Sequence, residues 1–189
     1  KEEFIYALRG QNIDKKLYEE LLEHGLQISK IYFDQKIDAK NFHPEDLLEF
    51  NFGKHHPQID GIPITGNADK IAWLDKEKTT AKILDYKSGK PKSIKHGEAY
   101  WRQLVFYDLL AKNSKGLNWT VDHCELEFLT PDPTSGEIKT KTYTVTPEDR
   151  EQVSQELKTV DQAIKNFDFP VIENPNNDTD IDFWNHFGA

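Results

Sequence analysis

Apolar residues run the whole length of the chain, but their spacing changes from segment to segment, and the spacing predicts the elements. Between 17 and 33, Leu17, Leu21, Ile28 and Ile31 fall near helical spacing, with Leu22 and Leu26 widening the stripe. The stretch 41–45, which holds His43 and Pro44, breaks that pattern. Residues 47–52 and 63–73 read as extended segments on either side of the turn-like run HHPQIDG. Residues 81–87 read as a further strand after the polar stretch 74–80. A helix is predicted over 97–112, ended by 113–116, and then a hairpin whose strands 120–130 and 137–146 flank the turn PDPTSG. In the last helix Thr146 is placed to cap and Pro147 to fill the first position. Val153, Leu157, Val160, Ile164 and Phe167 follow it three and four apart. The tail beyond Pro170 is rich in Asn, Asp and Pro, and its Phe183, Trp184 and Phe187 are expected to dock it. Helix, mixed strands, helix, hairpin, helix predicts one α/β (α+β) domain over 1–189. Within it we distinguish a helical part (1–45), a core (46–112) and a C-terminal hairpin and helix (113–189).

Composition narrows the field. A chain of 189 residues can bury one real core, and 30% charged residues give it a very polar surface. No run of 18 apolar residues occurs, so no membrane span is expected. The start, KEEFIYALRG, has no apolar run after its basic residue and does not read as a secretory signal. Cys124 is the only cysteine, which rules out an internal disulfide and makes a reducing, cytoplasmic setting the simplest one. The net charge of -9 weighs against tight nucleic-acid binding by this chain alone. A local basic surface, bound cations or a companion domain would have to supply the attraction.

The chemistry concentrates in GNADKIAWLDKEKTTAKILDYKSGK. If its two strands pair antiparallel about a turn near Glu77, Asp69 lies opposite Asp85, with Cβ atoms roughly 4.5–5.5 Å apart. Lys87 then shares their face, because strand side chains alternate. Ile71, Trp73, Ala81 and Ile83 make the other half of that face apolar. Two opposed, partly buried carboxylates repel, and need a cation, a shared proton or the lysine between them. Mg²⁺ or Mn²⁺ suits such oxygen ligands. A turn shifted by one residue would make the aspartates diagonal neighbours that still share an ion. The plainer alternative is a solvated ion-pair cluster on an ordinary hairpin.

Three motifs in order carry a resemblance: Gly66-Asn67-Ala68-Asp69, Asp85-Tyr86-Lys87-Ser88-Gly89, and Gln103-Leu104-Val105-Phe106-Tyr107. The stretch 61–107 that contains them resembles the RecB-type nuclease branch of the PD-(D/E)xK superfamily. The resemblance implies a restriction-endonuclease-like fold, a central mixed β-sheet flanked by helices, and metal-dependent hydrolysis of DNA phosphodiesters. It implies Asp69 and Asp85 as metal ligands with the Tyr86 carbonyl, and Lys87 as the group that orients water or stabilises developing charge. Gln103 and Tyr107, one helical turn apart, would face the site together; Tyr107 reads equally well as a core residue. Ser88, Lys90 and Lys92 would join Tyr107 in contacting substrate. A fused or associated helicase and a role in DNA repair and recombination are also implied.

Two features depart from that pattern. The family's early-helix histidine has no counterpart here except His24, in ELLEHGLQ, which reads as surface or helix-end structure. The expected explanation is that the histidine-bearing helix lies upstream of Lys1, leaving this fragment with an incomplete metal site. The tail has no cysteine, so no iron–sulfur cluster is expected.

The remaining candidates are weaker. Glu49, on the strand before the hairpin, reads as an exposed residue or an acid behind the metal ligands. His55 and His56 are adjacent and so point apart on an extended chain. Lys90, Lys92, Lys95 and His96 make up a basic stretch that tracks phosphates or is simply solvated. Trp101 and Arg102 would contact nucleic acid by stacking or charge, although Trp101 reads better as a core residue, and Cys124 is expected buried on a strand where it alternates with Leu126 and Phe128. The competing functional class is a non-catalytic DNA-binding or scaffolding module that keeps the nuclease fold.

Overall fold

The structure, a computed structural model, describes residues 14–37 and 45–168. The predicted break around His43 and Pro44 lies largely outside these residues, as does the tail with Phe183, Trp184 and Phe187. In chain order the elements are α1 (Lys15–Lys36), β1 (Leu47–Asn51), a short 3₁₀ turn (Phe52–His55), β2 (Gln58–Ile59) and β3 (Ile62–Pro63). They continue with β4 (Asn67–Trp73), β5 (Thr80–Lys87), α2 (Ala99–Asn113), β6 (Thr120–Phe128), β7 (Lys139–Tyr143) and α3 (Pro147–Asn166). The central sheet has five strands in the order β1-β4-β5-β6-β7, and β2 with β3 forms a separate two-stranded ladder. The sheet is mixed. β1 and β5 both run antiparallel to β4. Along β5 and β6, by contrast, Thr120 N–H donates to the Thr79 carbonyl (2.9 Å) and Leu129 N–H to that of Lys87 (2.8 Å). Partners that rise together in number mark a parallel pair. The α2 crossover between those strands supplies the length such a connection needs. The expected α/β class, a mixed sheet flanked by helices, is therefore the one observed.

The described residues belong to two compact units, each drawn from separated stretches of chain. One takes in α1, residues 85–93 and residues 126–141; the other takes in 47–84, 94–125 and 142–168.

In the first unit, Asp14 caps α1 by accepting the Lys16 and Leu17 N–H groups at 3.0 Å each. Exposed pairs such as Lys30–Asp34 (2.7 Å) add small increments along the helix. The apolar stripe predicted on α1 does not form a buried seam: no residue of α1 is buried, and Leu17 and Leu21 are 40% and 39% exposed. Polar contacts hold its C-terminal half instead. The Gln35 amide donates to the Gly136 carbonyl (3.0 Å) and accepts from Ile138 N–H (2.9 Å).

The second unit holds most of the apolar core. Ile71, Ala81 and Ile83 are fully buried, as the predicted apolar half-face requires, with Trp73 half-buried. Ala68, Ala72 and Leu84 on the alternate positions are buried too, so both faces of the β4–β5 pair are covered. Helix α2 buries Trp101, Leu104, Val105, Leu109 and Leu110. It comes so close to β4 that a Cβ on Gly66 would meet Leu110 Cδ1 at 2.7 Å. The first glycine of the GNAD motif is thus required by packing. Helix α3 begins as predicted: Thr146 Oγ1 accepts from Asp149 N–H, and Asp149 accepts from Thr146 N–H (2.8 Å) in a reciprocal capping box. Its buried line departs from expectation. Val153, Glu156 and Ala163 are covered, whereas Ile164 is 54% exposed and Phe167, at a left-handed C-cap, 85% exposed. Glu156 pairs with Arg102 (2.8 Å), so a charged residue is buried where apolar spacing alone would have placed Leu157.

Two predictions follow from the packing. Replacing Gly66 with alanine overfills the α2 contact and should cost about 1–3 kcal/mol in a urea melt. Asp149 is a linkage case. Burial pushes its carboxyl up, but donors from Thr146, Tyr143 and Trp101 outweigh that and hold it below its ordinary value. A depressed folded-state pKa contributes stability that is complete above the unfolded value of about 4 and is lost as pH falls through the folded value. Melts of Asp149→Asn against the parent should show a smaller loss of stability below about pH 4.

Candidate active site

Strand β5 ends in the charged run of interest. Asp85 is 4% exposed, and Lys87 Nζ lies 2.7 Å from its Oδ2. Positions two apart on a strand share a face, and here the two side chains meet. Tyr86 between them turns to the opposite face, where its hydroxyl lies 3.3 Å from that of Tyr32 on α1. The strand end is fastened to β6 through its backbone: the Lys87 carbonyl takes Leu129 N–H, and the Ser88 carbonyl takes Thr130 Oγ1 at 2.5 Å. Desolvating a carboxylate costs several kcal/mol, and one adjacent ammonium rarely does more than balance it. The Asp85–Lys87 pair is thus a poor source of stability and a good source of fixed charge.

Past the strand, Ser88, Lys90 and Lys92 are exposed in a stretch without regular structure. Lys95 pairs with Glu98 at 3.3 Å, also in solvent. The basic run is therefore an accessible surface.

In the other unit, Asp69 is half-buried on β4. The β4–β5 ladder pairs Trp73 with Ala81, Ile71 with Ile83 and Lys70 with Leu84. This is the register of a turn centred near Glu77. On the other side of β4, Leu48 pairs with Lys70 and Phe50 with Ala68, bracketing Glu49. Glu49 itself is exposed and adopts a left-handed backbone, φ 49°. On α2, Gln103 Nε2 donates to the Tyr107 hydroxyl at 3.0 Å, so the two motif residues do act as a pair. Tyr107 is buried (7% exposed) and serves the core; Gln103 is half-buried. Gln103 lines, with Arg102, Phe106, Val153, Glu156 and Leu157, a largely apolar cavity of about 490 Å³ between α2 and α3.

The weaker candidates resolve into structural roles. His24 is exposed in the middle of α1, not at its end. His55 stacks on Phe50 (5.3 Å, 16°), and His56 takes a left-handed cap, so they form no ligand pair. Cys124 is buried, and burial pushes its thiol far up. Trp101 is fully buried, its indole N–H shared between Tyr143 Oη (2.9 Å) and Asp149 (3.2 Å). Arg102 pairs with Glu156 and donates to the Gly97 carbonyl.

Sequence reasoning missed the polar cluster around Glu127. In CELEF this glutamate alternates with apolar residues and reads as solvent-facing, yet it is 5% exposed. Its oxygens accept from Tyr32 (2.8 Å), Lys36 (3.0 Å) and Thr140 (3.2 Å). The only trace in the sequence is the four-residue spacing of Tyr32 and Lys36 on a polar helix face. Among the described residues, no three His, Cys, Asp or Glu side chains gather as a ready-made metal site. The described residues also contain no helix long and apolar enough to cross a membrane.

A family model described as the PD-(D/E)XK nuclease superfamily matches residues 8–178, nearly the whole chain. No curated protein gives a match.

A buried pair has a measurable signature. Lys87→Met leaves the Asp85 carboxylate without its ammonium and should lower stability by about 1–3 kcal/mol. Adding Asp85→Asn to it should recover most of that loss. A double-mutant cycle whose coupling falls below about 0.5 kcal/mol would show that the two groups do not depend on one another.

Proposed function

The chain belongs to the PD-(D/E)XK nuclease superfamily, and on that footing we propose that it is a metal-dependent deoxyribonuclease of the RecB type. One observation carries the reading: a buried carboxylate and an ammonium locked together at the end of β5, inside the Asp85-Tyr86-Lys87-Ser88-Gly89 motif. The alternation of the two strand segments in the sequence, folded about a turn near Glu77, would set Asp69 across from Asp85. Two carboxylates with the Tyr86 carbonyl form an all-oxygen donor set of the kind Mg²⁺ and Mn²⁺ take, with waters completing the shell. A divalent ion bound there supplies Lewis acidity toward the scissile phosphate and makes the attacking water more acidic.

The chain's own groups do the rest. Asp69 and Asp85 hold the ion. Lys87, already tethered to Asp85, donates to a phosphate oxygen as its charge grows. Gln103, steadied by Tyr107, orients the substrate or the lysine. Ser88, Lys90 and Lys92 follow the phosphate backbone, a compact basic surface on a chain whose net charge is -9. A companion helicase in DNA repair and recombination would supply the remaining affinity and deliver the strand. Because the family match spans both compact units, we treat the chain as one nuclease domain.

A second reading, a non-catalytic DNA-binding or scaffolding module, is favoured by that same acidity. A plasmid and oligonucleotide cleavage assay with Mn²⁺ separates the two. The chain extended upstream of Lys1 should cut, and Asp69→Ala or Asp85→Ala should slow cutting by about 100-fold or more while the protein stays folded. A parent no more active than Asp85→Ala, also when extended upstream of Lys1, would favour the scaffold.

A further inference from the structure

We infer that Tyr32 and Glu127 are positioning residues: a polar brace on the reverse face of β5 that fixes the Tyr86 peptide and, through it, Asp85 and Lys87. The inference rests on the proposed nuclease site, but its physical basis is separate. Tyr86 is the one residue between the acid and the lysine, and its carbonyl is the proposed third ligand. Its ring meets that of Tyr32 edge-on, with centroids 6.0 Å apart at 87°. The Tyr32 hydroxyl donates to Glu127 Oε1 at 2.8 Å, which leaves its oxygen to accept from the Tyr86 hydroxyl at 3.3 Å. Glu127 Oε2 in turn receives Lys36 Nζ (3.0 Å) and Thr140 Oγ1 (3.2 Å), and Lys36 also donates to Thr140 (3.0 Å). A single chain of hydrogen bonds therefore runs from Tyr86 through Tyr32 to a buried carboxylate anchored by α1 and β7.

This is an expensive way to hold a helix on a sheet. A buried ionic network is often no more stabilising than apolar residues of the same volume, but a fully satisfied one specifies a geometry closely. What it specifies here is the pitch of the strand end. β6 fixes the carbonyls of Lys87 and Ser88 from the side. The brace fixes residue 86 from behind. Loss of the Tyr32 hydroxyl would leave the packing in place and free the Tyr86 side chain to rock, and the two charged neighbours would rock with it.

The test uses Tyr32→Phe and Glu127→Gln in the whole chain, with Tyr86→Phe as a third variant that leaves the Tyr32–Glu127 bond untouched. Two quantities are read: the Mn²⁺ dissociation constant by calorimetry, and amide hydrogen exchange of residues 85–87. Loss of groups that orient ligands from behind typically weakens metal affinity 10–100-fold. The brace predicts about a tenfold weaker Mn²⁺ constant for each variant, and faster exchange confined to the end of β5. A lower melting temperature with the Mn²⁺ constant and the exchange both unchanged would make Tyr32 and Glu127 ordinary packing residues and overturn the inference. If the parent binds no Mn²⁺ that Asp85→Ala abolishes, the nuclease reading fails by itself, and exchange at 85–87 still decides the brace.

Discussion

The pairing of β4 with β5 is the constraint on which the rest of the structure depends. Because strand side chains alternate, a slip of one residue in that ladder would send every side chain of one strand to the opposite face. Ile71 would lose Ile83, and Trp73 would lose Ala81. The apolar side chains that are fully buried in the observed register hold it in place: Ile71, Ala81 and Ile83 on one face, Ala68 on the other. A hydrophobic preference spread over half a hairpin thus dictates where the charged groups at its open end must stand. Asp85 and Lys87 are carried to their positions by residues that have no chemistry of their own.

That division of labour explains how much of the molecule was legible in the sequence. Spacing rules found most of the elements, because the strands β4 and β5 and the helix α2 bury the apolar residues that their periods mark. Thr146 caps where its place before Pro147 indicated, and the turn near Glu77 fell where the alternation of both flanking strands agreed. Two of the readings that failed share a cause. At the inward Glu156 of α3 and the buried Glu127, a polar contact across long sequence separation overrides the local apolar pattern. Such contacts leave no periodic trace. A glutamate in a strand is coded identically whether it meets water or a tyrosine 95 residues away. The meeting of Asp85 with Lys87 was readable from a two-residue spacing. The Gln103–Tyr107 bond was readable from a helical turn, although the degree of burial of Tyr107 was not.

The two faces of β5 are used differently. On one, a carboxylate and an ammonium are packed together with little solvent, which raises the strength of their field on anything that approaches. On the other, a tyrosine is tied into neutral and charged donors that satisfy one another. Each face carries polar groups that a strand selected only for stability would replace with valine or isoleucine. Polar groups retained on both sides of one short segment indicate a demand for position as well as for cohesion.

The hydrogen atom that stands in for a side chain at Gly66 sets a limit of another kind. Helix α2 lies against β4 at a distance that admits no methyl group there, since Leu110 already fills the space and is itself fully buried. Sequence drift at this position is closed unless Leu110 shrinks in the same step, and a smaller Leu110 alone opens a cavity. A change at either residue therefore shifts what the other can tolerate.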